Sequence, residues 1–315
     1  MRKVLSTVAV AALLVSASAF AAFPERPIKL IVPWAAGGDT DNIFRPFAQA
    51  LQKQLGQTVV VTNIGGASGT VGAREAKNSP PDGYSLYAVH DYIHSTYYTG
   101  LSDINYTDFE PICLVASTPS ILTASPKTPW KTLKELITDA KARPGQITVG
   151  ASLGSTSHFF PAIFEKEAKL KFKYVSYDGL AQRMNAILGG HNDLTDGNLT
   201  QKGKVDAGQL RFLAIATEKR SPELPNLPTF KELGYNVVYA VSRGILVPKG
   251  TPANIQGALE SACAKAAKDS VFAESMKVQG TEVRYLDRKG YAEFLKQNDV
   301  LNKDLSRDLG LLKRQ

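Results

Sequence analysis

Cysteine is nearly absent from the chain, with only Cys113 and Cys263 among 315 residues. That excludes a disulfide-dense secreted module and a cysteine-rich metal domain. Aromatic side chains are also few, at 9%. Basic residues exceed acidic ones by eight, but the excess is scattered, and its longest grouping is Lys313-Arg314 at the C-terminal tail. Without an arginine-rich stripe carrying interleaved aromatics, nucleic acid is not an expected partner. Beyond the N-terminus no stretch approaches the roughly 18 uninterrupted apolar residues of a membrane span. Neither G-x-x-x-x-G-K-[ST] nor a G-x-G-x-x-G in the first strand-turn-helix is found, so no nucleotide cofactor is expected. What remains, 43% apolar and 21% charged, describes a globular chain long enough for two domains.

The N-terminus carries an address. Arg2 and Lys3 precede an uncharged run from Val4 to Val15, and small residues follow through Ala22. The run is shorter than a membrane span, and Ala19-Phe20-Ala21 fits the small-x-small cleavage rule, so a signal peptide cleaved after about Ala21 is expected. Its removal takes two positive charges and lowers the net charge from +8 to +6. In an oxidising compartment the two cysteines either pair or sit as buried thiols; sequence alone supplies no separation to decide.

Strand, glycine-rich turn and helix then alternate. Ile28-Lys29-Leu30-Ile31-Val32 is a buried strand, followed by Pro33-Trp34-Ala35-Ala36-Gly37-Gly38-Asp39-Thr40-Asp41 and a helix from about Asn42 to Leu55. Thr58 to Thr62 repeats the event, with Gly65-Gly66-Ala67-Ser68-Gly69 leading into a helix from Thr70 to Asn78. The alternation predicts parallel sheets with helices on both faces and a ligand crevice at the C-terminal strand ends. A second unit begins near Leu114, and a strand over Val237 to Val247 returns to the first. The tail from Ala253 reads as helical except for a link near Gly280 to Tyr285.

Each glycine loop ends a strand and opens a helix, where unpaired N–H groups and the positive end of the macrodipole converge on an anion. Two such loops at one sheet end, matched by Gly154-Ser155-Thr156-Ser157 in the second unit, point to a bound carboxylate. Two enzyme motifs compete with that reading. Gly150-Ala151-Ser152-Leu153-Gly154 matches G-x-S-x-G, which makes a secreted serine hydrolase using Ser152 the alternative function. His90 and His94 stand four apart, but neither the adjacent Glu of a zinc protease nor a third ligand is evident, so no metal is expected. The blander place for His90 and Tyr92 is the wall of the cleft.

The string Val32 to Gly38 with Thr40-Asp41, then Gly65 to Gly69, then Pro81-Asp82-Gly83-Tyr84, resembles the tripartite tricarboxylate transporter receptors, or Bug family. Further matches follow in order at Asp108 to Pro111, Gly150 to His158, Val175-Ser176-Tyr177, Leu188-Gly189-Gly190, Leu227-Pro228-Thr229 and Pro248 to Pro252. The resemblance implies an α/β, two-lobed periplasmic solute-binding protein of the type II, Venus-flytrap kind with two interdomain crossings. Residues 22–116 and 243–315 would form one lobe and 117–242 the other. It also implies a monomeric, non-enzymatic receptor without cofactor that captures a mono- or dicarboxylate and delivers it to a permease of one large and one small subunit. In such receptors main-chain amides of the first two loops hold a carboxylate, here those of Ala35, Ala36, Gly37, Gly38, Ala67, Ser68 and Gly69. The other lobe would contribute Ser152, Ser155, Thr156, His158, Asp196 and Asn198, with Tyr177 beside them. Trp34 and Tyr92 either wall the ligand or pack in the core. Asp39 departs from the family pattern, where a small neutral residue is usual. It either caps its helix or receives a donor group of the ligand.

Overall fold

The computed structural model describes residues 23–314, so the expected signal segment and its cleavage point lie outside the described residues. Two mixed sheets, each with its own hydrophobic cluster, make up the chain.

In the first sheet β1 (Ile28–Val32), β2 (Val59–Asn63) and β3 (Ser85–His90) run parallel, in the order β2-β1-β3. β1 buries Ile28, Leu30, Ile31 and Val32 between two parallel neighbours, and Lys29 reaches out to Glu75 at 2.7 Å. The purely parallel sheet expected from sequence is corrected at this point. β4 (Phe109–Pro119) and β10 (Ala240–Pro248) join antiparallel, and β11 (Glu282–Leu286) adds an antiparallel edge to β4. The segment read as a link near Gly280 to Tyr285 is therefore mostly strand.

Helices flank this sheet: α1 (Asp39–Leu55), α2 (Thr70–Asn78), α3 (Tyr92–Tyr98), α8 (Ala253–Ala266), α9 (Ser270–Val278) and α10 (Arg288–Asp308). α1 buries Ile43, Phe44, Phe47 and Leu51 along one stripe and stops at Gly56, whose φ of 66° no β-carbon obstructs. Pro46 inside α1 has no N–H for the Asn42 carbonyl; Gln279 Nε2, at the end of α9, donates to that oxygen at 3.3 Å instead. Cys113 in β4 and Cys263 in α8 form a disulfide, which resolves the alternative left open by sequence and ties sheet to helix around the whole intervening chain.

The second sheet has the order β7-β6-β8-β5-β9. β6 (Thr148–Ala151), β7 (Lys173–Ser176) and β8 (Leu194–Gly197) are parallel, while β5 (Ile121–Ala124) runs antiparallel between β8 and β9 (Arg211–Ile215). α4 (Leu133–Ala142), α5 (Thr156–Glu167), α6 (Leu180–Gly189) and α7 (Lys202–Asp206) accompany it. Two adjacent strands carry the chain between the sheets. Ala240 pairs with Pro119 as β10 meets β4, and the Ser120 amide donates to the Tyr239 carbonyl at 3.1 Å.

Across the gap the two halves touch. The Ser68 amide donates to Asp178 Oδ1 at 2.9 Å, the Ser68 hydroxyl donates to the Leu153 carbonyl at 3.1 Å, and Lys166 pairs with Asp308 at 3.1 Å. A β-carbon on Gly179 would lie 3.3 Å from Trp34.

Candidate functional site

Three strand-to-helix turns converge where the sheets face one another. β1 leads to α1, β6 to α5 and β7 to α6. The first N–H groups of a helix have no partner within it, so each start presents free donors and a partial positive charge. Asp39 and Thr40 from α1, Ser155 and Thr156 from the start of α5, and Gly179 and Leu180 from the start of α6 line one cavity between the sheets. Measured by where the centre of a water molecule can sit, it holds about 50 Å³.

Two buried arginines complete its wall. Arg183, on the first turns of α6, is 4% exposed; it donates to Ser152 Oγ at 3.0 Å and pairs with Asp196 Oδ1 at 2.8 Å. Arg243, on β10, is 3% exposed and donates to Thr118 Oγ1 at 2.8 Å and to the Val241 carbonyl at 3.1 Å. Its nearest carboxylate, Asp39, stands at 3.6 Å, beyond hydrogen-bond reach. Three polar atoms of this wall are buried with no partner among the described residues: Trp34 Nε1, Arg183 Nε and Asp39 Oδ1. Buried polar groups are almost always satisfied, and these three atoms, closed off from water, are exceptions within the cavity wall.

Burial sets the charges. It raises the Asp196 carboxyl above its usual range; Arg183 opposes that and Asp39 adds to it. Burial also lowers the Arg243 guanidinium, against the pull of Asp39, Asp91 and Asp196. His90, lining the same cavity, is pushed well below the usual imidazole range by burial and then by Arg243 and Arg183. Its ring is therefore neutral, stacks on Trp34 with centroids 5.4 Å apart, and accepts the Tyr92 amide on Nδ1 at 3.1 Å.

Of the residues singled out from sequence, Trp34, Asp39, Ser152, Ser155, Thr156 and Asp196 meet in this cavity. The amides expected to grip a carboxylate are largely engaged elsewhere. Gly37 donates to Asp41 Oδ2 at 2.9 Å, Gly38 makes a turn with the Ala35 carbonyl, Ser68 binds Asp178, and Gly69 donates to the Gly66 carbonyl at 3.0 Å. Ala35 and Ala36 are exposed and lie outside the cavity lining. Gly69, at φ 88°, makes room for the aromatic wall: a β-carbon there would lie 2.7 Å from Tyr92 and 3.1 Å from Trp34. Tyr92 is buried behind Trp34 and donates its hydroxyl to the Gly69 carbonyl at 2.9 Å. Ala67, Ser68 and Tyr177 line a second recess between the halves, with Asp178. His158 accepts the Gly154 amide on Nδ1 at 3.2 Å, and burial lowers it to about 4, so it serves as a neutral cap. Asn198 caps a short turn by accepting the Thr200 amide.

Sequence reasoning missed Arg183 and Arg243 as site residues. Each is a lone cation inside an apolar segment, Leu180 to Ile187 and Val241 to Val247, and that misfit was the available signal, since a fully buried arginine is rare without a partner.

The hydrolase motif finds no catalytic geometry. Ser152 Oγ donates to the Tyr177 carbonyl at 2.7 Å and accepts from the Gly179 amide and Arg183, so no base faces its proton. His94 lies on α3, buried, with Nδ1 on Asp299 Oδ1 at 3.0 Å, apart from His90 and its stack. No cluster of three metal-ligating side chains occurs among the described residues.

Comparison with known proteins agrees with this architecture. The family of tripartite tricarboxylate transporter family receptors matches residues 43–311. The chain is 33% identical to the protein BugT of Bordetella pertussis over 82% of this chain and 81% of that one. Among solved structures, the periplasmic binding protein BugD superposes with a TM-score of 0.88 at 33% identity, covering 93% of this chain and all of that one. MatC from Rhodopseudomonas palustris, solved with bound malate, superposes at 0.83 and 26% identity over 90% of this chain and 99% of that one. With two sheet-centred lobes, a polar cavity between them and a family match over most of its length, the chain belongs to the tripartite tricarboxylate transporter receptors and has their two-lobed α/β solute-binding fold.

Proposed function

We propose that this receptor captures a small organic acid between its lobes in the periplasm and delivers it to a tripartite tricarboxylate-type membrane permease. One observation carries the reading: three helix starts and two buried arginines line a single cavity between the sheets. A carboxylate is a negatively charged acceptor that suits both helix starts and guanidinium groups. The malate in MatC supports the same class. The site consists of Trp34, Asp39, Thr40, Ser152, Ser155, Thr156, Arg183, Asp196 and Arg243. The loops of Ala35 to Gly38 and Ala67 to Gly69, with Tyr92, His158, Tyr177 and Asn198, hold the wall and the mouth around it.

Residues 22–116 with 243–315, and 117–242, act as the two closing bodies about the paired crossings, and Ser68–Asp178 latches them. Export follows cleavage after about Ala21. A thermal-shift and calorimetric screen of small organic acids against the mature protein tests this. Ligand at 100 times its dissociation constant stabilises by about 2.7 kcal/mol; no response to any carboxylate would contradict the proposal.

A further inference from the structure

His90 on β3 and Arg243 on β10 lie directly opposite one another, so both side chains leave the same face of the sheet, and both line the cavity. They are also the last rung that the two strands share. β3 ends at His90, whereas β10 extends past it through Ser242 and Val241 to Ala240, paired there with β4. On the β4 side the register slips between Arg243 and Gly244, the kind of irregularity that re-aims a side chain. The ladder is thus interrupted on both sides of the residue that carries the guanidinium. A Ser242 amide turned toward the missing β3 neighbour needs another acceptor, because a buried N–H left alone is costly.

Asp91 supplies it. The first residue past β3 is buried, and its Oδ2 accepts the Ser242 amide at 2.7 Å, where a carbonyl of a longer β3 would stand. Its Oδ1 accepts Asn298 Nδ2 of α10, and Asn298 Oδ1 is held in turn by Asn302 Nδ2 at 3.0 Å. One carboxylate therefore ties β3, β10 and α10 together, one residue away from His90 and one rung away from Arg243, while lying outside the cavity lining itself. Burial lifts the Asp91 carboxyl to about 6, against the Ser242 amide, His94 of its own helix, Arg243 of β10 and Asn298 of α10. Tyr239, just before β10, and Tyr291, on α10, also lie near it, as neutral phenols. Building on the receptor reading above, we propose that Asp91 is a positioning residue of the cleft, standing in for a strand rung so that Arg243 is aimed at the bound acid.

Calorimetry with malate, succinate and adipate on the mature protein, Asp91→Ala and Asp91→Asn tests this. Alanine removes the rung, whereas asparagine keeps an acceptor for the Ser242 amide and loses only the charge. Asp91→Ala is expected to weaken the acid that the parent binds by about tenfold or more, and Asp91→Asn to hold it within about threefold of the parent at about pH 7.5. A carboxylate arriving beside Arg243 offsets the cation's pull on Asp91, so its proton affinity rises on binding. From about pH 7.5 to about pH 5.5 the parent's affinity should therefore gain about threefold more than that of Asp91→Asn. Parental affinity in Asp91→Ala, a loss in Asp91→Asn as large as in Asp91→Ala, or a pH dependence that Asp91→Asn leaves unchanged would each overturn the assignment and leave the receptor standing. Should Asp91→Ala not fold by circular dichroism, the affinity and pH profile of Asp91→Asn decide. A parent that binds none of the three acids would overturn the receptor reading and this assignment together.

Discussion

Arg183→Met separates what the cavity's cation does for the fold from what it does for the ligand. In the native chain the guanidinium is 4% exposed and holds Asp196 at 2.8 Å and Ser152 Oγ at 3.0 Å. Methionine fills similar space but strands Asp196, and breaking a buried pair from one side costs about 3–5 kcal/mol. Protonation of Asp196 limits that cost. Burial already raises this carboxyl, and without Arg183 it rises further. Stability tied to the protonated form is fully present below the unfolded carboxylate value and is lost as pH rises through the folded one. The deficit of the variant is therefore larger near about pH 8 than near about pH 5. Removing both partners in Arg183→Met/Asp196→Leu should return stability to within about 2 kcal/mol of the parent, because no charge is left alone. Urea unfolding followed by circular dichroism reads the stabilities, and calorimetry reads binding. The double variant is expected to fold well and bind no organic acid. Parental affinity in the double variant, or a single-variant cost below about 1 kcal/mol, would refute the role given to this arginine.

Three further outcomes are expected. Replacing Cys113 and Cys263 together by alanine releases a closure that spans 150 residues, which loop entropy values at up to about 5 kcal/mol; a denaturation midpoint unmoved by the change would contradict the bond. Asp178→Ala removes the carboxylate that accepts the Ser68 amide across the gap, a charge-assisted bond of about 1.5–3 kcal/mol. Scattering should then show a larger radius of gyration without ligand, and equal radii would deny the latch. Burial holds His158 near 4 when folded, against about 6.5 for an ordinary imidazole, so the stability of its neutral form is present above about 6.5 and is lost as pH falls. About 3 kcal/mol should go between neutrality and about pH 4, and His158→Gln should flatten that slope in urea titrations; an unchanged slope would contradict its burial.

Much of the fold was legible because strand, glycine turn and helix each leave a local mark. The stripe Ile43, Phe44, Phe47, Leu51 and the stop at Gly56 locate α1 without tertiary knowledge. Two of the elements that escaped did so for physical reasons. β11 is an edge strand, partly exposed and interrupted in register between Val283 and Leu286, so its pattern is not that of a buried strand. α3 is buried at six of its seven positions, and a helix enclosed on nearly all sides has no apolar stripe to show periodicity. At the site, the helix starts were visible as turns, but which amides stay free depended on distant partners. Asp41 takes Gly37, and Asp178, 110 residues from Ser68, takes that amide. The arginines hid because their partners come from other strands, Asp196 on β8 and Thr118 on β4.

The most direct measurement is a crystal structure of the mature protein with the tightest-binding acid from the screen. A ligand carboxylate within hydrogen-bond distance of Arg183 or Arg243, between closed lobes, is the expected result. A ligand held elsewhere, away from both arginines, would contradict the central claim that the converging helix starts and buried arginines form the receptor site.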